Sequence, residues 1–89
     1  MGNIEKRTKL TREIASQVRI AMGEIAKGFP EADRGVMTAA LVTYLADMIV
    51  VSMDKESAML YAEKASNLLK NTIALTPESM FNLVKRLNN

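Results

Sequence analysis

Apolar positions recur at helical spacing along almost the whole chain, and no stretch alternates as a strand would. Between Lys6 and Lys27, Leu10, Ile14, Val18, Ala21, Met22 and Ile25 follow mostly at intervals of three and four, which sets them on one helix face. Arg12, Glu13, Arg19, Glu24 and Lys27 mostly occupy the other sides. Thr8 or Thr11 is expected to cap the start. Gly28 is expected to stop this helix in the left-handed conformation, with Phe29 folding back and Pro30 preventing continuation.

The second segment is different in kind. Glu31 and Asp33 suit a helix N-terminus, where unpaired N–H groups and the dipole favour anions. The helix then runs from about Arg34 to Ser52, and its stretch VMTAALVTYLADMIVVSM, Val36 to Met53, is apolar on nearly every side. A helix of that kind must be covered all round. Neither Gly nor Pro separates it from the next segment, but one rod of about forty residues would be rare in a globular domain. The break belongs near Met53, with Asp54 as the N-cap of the third helix. There Ala58, Tyr61, Ala62, Ala65, Leu68, Leu69 and Ile73 form an apolar stripe. A fourth helix is expected from Thr76 as N-cap, Pro77 as first residue and Glu78 in the first turn. Met80, Phe81, Val84 and Leu87 form its apolar side, and Lys85 and Arg86 complement its C-terminal dipole.

The expected fold is therefore all-α: one domain over 1–89, a small bundle of about four helices around a central apolar helix near 34–52, after a disordered lead-in at residues 1–5. A chain of 89 residues buries only roughly 60–65% of its unfolded surface. Small domains compensate with disulfides, metals or association. This chain has no Cys and no His, which removes disulfides and the usual zinc sites. Association remains, and a homodimer is the expected form, built on the apolar surface that one chain leaves uncovered on the second helix.

The same two absences narrow the chemistry. There is no imidazole base and no thiolate nucleophile. Gly2, Gly23, Gly28 and Gly35 make neither a P-loop nor a dinucleotide fingerprint. Ser52 and Lys55 are a chance pair rather than a dyad. Asp47 is read as facing solvent or pairing with a cation. No catalytic residue, cofactor site or metal site is expected, and the chain reads as a non-enzyme.

Charge adds one feature. The net charge is +2, but residues 1–27 carry +3 and residues 28–89 carry −1. The excess lies in KRTKLTR, with Lys6, Arg7, Lys9 and Arg12 as candidate phosphate contacts. Glu5 and Glu13 offset it, and Phe29, Tyr44, Tyr61 and Phe81 are too scattered for a base-stacking platform. Val36 to Met53, about 27 Å long as a helix, nearly matches a hydrocarbon core of roughly 30 Å. Asp47 inside it costs about 2.5–3.5 kcal/mol on insertion scales, so a span is not expected. The basic start lacks the apolar stretch and cleavage site of a signal peptide, which suggests a cytoplasmic protein.

Seven methionines, with Met37, Met48, Met53 and Met59 near the second helix, suit an adaptable contact surface. The expected function is a non-catalytic protein-interaction module, an adaptor, regulator or inhibitor that occludes a partner protein through Met37, Tyr44, Met48 and Tyr61. The alternative is a nucleic-acid-binding regulator that uses Lys6, Arg7, Lys9 and Arg12.

Overall fold

A computed structural model describes residues 2–88, and these form an all-α chain without a strand among them. Helix α1 spans Gly2–Gly28, α2 Arg34–Ser52 and α3 Lys55–Ala74. A single 3-10 turn, Glu78–Met80, and a short helix α4, Leu83–Leu87, follow. The chain divides into two units, Met1–Val42 and Thr43–Asn89. The first holds α1 and the start of α2. The second holds the rest of α2, α3, the 3-10 turn and α4.

Helix α1 begins earlier than the periodicity suggests, so Thr8 and Thr11 are not caps. Both lie inside the helix, and the Thr11 hydroxyl donates to the Arg7 carbonyl at 2.7 Å. Gly2 to Glu5, assigned by sequence to the lead-in, belong to the helix, while Met1 lies outside the described residues. Gly28 closes the helix without adopting the left-handed conformation. The chain turns one step later. The Ala32 N–H donates to the Phe29 carbonyl at 2.9 Å, and Pro30 occupies the second position of that turn. Proline fixes φ near the value this position requires, so the β-turn supplies the reversal that a left-handed glycine would have given.

Helix α2 starts where the acids indicate. Asp33 Oδ1 accepts from the Val36 N–H at 2.9 Å, satisfying one of the unpaired donors of the first turn. Gly35 lies under that carboxylate, and a Cβ built there would stand 3.3 Å from Asp33 Oδ1. The break between α2 and α3 falls at Met53 and Asp54, and Asp54 caps α3 by accepting from the Ser57 N–H at 2.7 Å.

The fourth segment does not form the continuous helix that Thr76, Pro77 and Glu78 announce. The Thr76 hydroxyl is already committed backwards, donating to the Thr72 carbonyl at 2.7 Å at the end of α3. Pro77 then leads into one 3-10 turn only. Phe81 is extended, and Asn82 takes the left-handed conformation with φ of 59° before α4 begins. Asparagine tolerates that region better than most residues. Arg86 does not end a long helix dipole either. It reaches back, donating through Nη2 to the Phe81 carbonyl at 3.0 Å and to the Ser79 carbonyl.

Several hydroxyls bond to their own helices. Thr38 donates to the Arg34 carbonyl at 2.8 Å, Ser52 to that of Met48 at 2.8 Å and Thr72 to that of Leu68 at 2.8 Å. Burial is sparse. Ile49 is the buried hydrophobic residue, 8% exposed. Neither α1 nor α3 contains a buried residue. The half-buried positions are mainly small: Ala15, Met22 and Ala26 on α1, and Ala58 and Ala65 on α3.

The caps give a direct test. Asp33→Ala should lower stability by about 1 kcal/mol, read by urea titration of helical circular dichroism. Asp54 tests the pH dependence. Its carboxyl is held below the ordinary value of 3.8 by the backbone hydrogen bond from Ser57 and by the Ser57 side chain. A group whose pKa is lowered on folding stabilises the fold above its unfolded value and loses that contribution as pH falls through the folded one. The stability difference between the parent and Asp54→Ala should therefore be full above pH 3.8 and shrink below it. A difference independent of pH across that window would contradict the cap.

Candidate interaction surfaces

The candidate contact residues fall on two elements. Met37, Tyr44 and Met48 stand on α2 at spacings of seven and four, hence on one face. Leu41 and Val51 complete it, so that residues 37, 41, 44, 48 and 51 recur at four, three, four and three. This is the spacing of a coiled-coil seam. Met37 is half-buried, whereas Leu41 is 43%, Tyr44 64%, Met48 46% and Val51 84% exposed. None of the five is charged. Ile49 lies on a neighbouring side of α2 with Val42 and Leu45, again at spacings of three and four. The helix therefore turns Ile49 inward, while Val42 and Leu45 beside it stay exposed, as does most of the 37–51 stripe. Asp47 is exposed and borders the first stripe, three residues from Tyr44 and four from Val51.

Tyr61 does not join this surface through its own helix. It stands on the apolar side of α3 with Ala58, Ala65 and Leu68, and is 48% exposed. Sequence periodicity identifies both residues as apolar-face tyrosines but cannot place two helices against each other.

One end of the α2 seam meets a hollow within the first unit. Ile25 on α1, Phe29, Glu31 and Ala32 in the connecting turn, and Val36, Met37 and Ala40 on α2 line a largely apolar space of about 280 Å³. The turn at Phe29–Ala32 creates it by reversing the chain between two apolar helix faces. Sequence reasoning missed Ile25, Phe29 and Val36 as lining residues because it read Phe29 and Pro30 only as a helix stop.

The basic residues divide as well. Because α1 is continuous, Lys6, Lys9 and Arg12 follow at intervals of three along one side. Arg7 falls on the side of Leu10 and Ile14, at three and seven. Glu5 lines the same shallow depression as Lys9 and Arg12, which places a carboxylate within the candidate phosphate contact. Lys27 pairs with Glu24 at 3.0 Å on the exposed surface, a contact of little energetic weight.

Among the described residues there is no group of three or more acids, His or Cys placed to hold a metal ion. Helix α2 is long and apolar enough to cross a membrane by length and composition. Comparison of the chain with known protein families, with characterised proteins and with solved structures finds no match.

The inward side of α2 can be separated from the open one by truncation. Ile49→Ala should cost about 2 kcal/mol or more, as loss of a buried aliphatic side chain does. Val50→Ala, one residue along and 67% exposed, should change stability by less than about 0.5 kcal/mol. Equal effects in urea titrations would show that Ile49 is not the interior contact.

Proposed function

We propose that the chain is a non-catalytic protein-interaction module that acts by covering the surface of a partner protein. The observation carrying this reading is α2. Of its 19 residues, Ile49 is the one that is buried, although the helix offers apolar side chains all round. Neither unit has an interior large enough to absorb such a helix. A monomeric soluble protein rarely leaves a contiguous apolar face of this kind open, and contact with another macromolecule is its usual meaning. Methionine and tyrosine on that face suit the role, since Met adapts its shape and Tyr combines apolar area with a polar tip.

The nucleic-acid reading is weaker. Of its four basic residues, three share a side of α1 and one does not, and Glu5 sits among them.

Tagged protein incubated with native lysate, with and without nuclease, tests the proposal. A stoichiometric protein partner should survive nuclease and be lost, at least tenfold, from Met48→Glu. Loss on nuclease treatment, with binding that falls steeply in salt and on neutralising Lys6, Arg7, Lys9 and Arg12, would replace it with the nucleic-acid reading.

A further inference from the structure

The α2 face invites a specific partner. We propose that residues Met37, Leu41, Tyr44, Met48 and Val51 form a homotypic seam, and that its occupant is the same face of a second copy of this chain. This rests on the interaction-module reading and names the partner of one surface within it.

Three observations converge. The first is spacing. Intervals of four, three, four and three over 15 residues keep a stripe aligned with another helix that carries the same repeat. The chain itself supplies such a helix at equal concentration. The second is charge. An isologous pair brings each surface against its own copy, and a face with a charged residue at its centre would repel itself. The five seam positions have none; Asp47, the one charged residue between Met37 and Val51, is exposed at the edge of the seam, three residues from Tyr44 and four from Val51, rather than at its centre.

The third is area. A buried Tyr removes roughly 150–250 Å² from water. With Tyr44 64%, Val51 84%, Met48 46% and Leu41 43% exposed, the seam offers on the order of 500 Å² per chain by that scale, hence about 1,000 Å² in the pair. Even with the seam wholly covered, that lies below the roughly 1,200 Å² at which stable specific interfaces begin and within the range of weak, transient ones. The dimer should accordingly be reversible and dependent on concentration. It also leaves the Ile49 side of α2 free to keep its inward contact.

The absence of Cys makes the test clean, because each introduced thiol is the only one in its chain. Tyr44→Cys stands at the centre of the seam. Val50→Cys stands well off it with a similar exposure of 67%. Treated with a short bis-maleimide at high micromolar concentration, Tyr44→Cys should yield a covalent dimer and Val50→Cys at most one-tenth as much. Met48→Cys serves as a second seam position should Tyr44→Cys fail to fold. In parallel, light scattering on the unmodified chain should rise from 9.8 kDa toward twice that mass with concentration. Tyr44→Glu, with unchanged helix content, should stay at the lower value.

A parent chain that stays monomeric at high micromolar concentration overturns the proposal, as does equal cross-linking at both positions. Partition of the chain into phosphatidylcholine vesicles with protection of Tyr44→Cys from maleimide also overturns it, with lipid as the occupant. A monomer that nevertheless captures a partner protein through Met48 removes the homotypic seam and leaves the interaction-module reading standing.

Discussion

Apolar burial is the dominant favourable term in folding, and in this chain helix α2 controls how that term can be met. Its residues are apolar on nearly every side, so covering a single stripe leaves much of it exposed. The two other long helices are amphipathic, each with one apolar side to give. The caps at Asp33 and Asp54 fix where α2 begins and where its successor takes over, but they do not cover it. Ile49 marks the side that the chain covers from within. What remains of α2 determines how the molecule meets its surroundings.

The composition bears on what those surfaces offer. A chain without imidazole or thiol lacks the side chains most often used as general base and as soft nucleophile. Its open surfaces differ in kind: a neutral stripe along α2, an apolar hollow at the α1–α2 turn, and a mixed-charge side of α1. The first is extended and uncharged, as are the exposed apolar sides of α1 and α3. The proposed protein-interaction role rests on that α2 surface, and the methionines within it would supply adaptability where a rigid core residue would supply fit.

Much of the helical layout was legible in the sequence, for local reasons. The limits of α2 and the cap at Asp54 depend on contacts three residues away, Asp33 with Val36 and Asp54 with Ser57, which a pattern of letters can reveal. The misread ends involve competition between two local solutions. At Gly28 a left-handed glycine and a Pro30 β-turn were both available, and the turn formed. At Thr76 the hydroxyl could cap forward or bond backward to Thr72, and it bonds backward. The break at Asn82 has a weak signature, a single asparagine amid apolar residues. For the candidate contact residues, spacing puts Met37, Tyr44 and Met48 on one face because they share a helix, and puts Tyr61 on the apolar side of α3 without relating the two helices.

The back-bonded hydroxyls bear on how α2 can leave water. Thr38 and Ser52 look like polar interruptions in the sequence, yet each donates its proton to a carbonyl four residues earlier. A buried donor without an acceptor is costly, whereas one already satisfied brings little penalty. Dehydrating these positions therefore strands no proton. In a dry environment Thr38 behaves much as valine would and Ser52 much as alanine, so α2 is effectively more oily than its composition suggests.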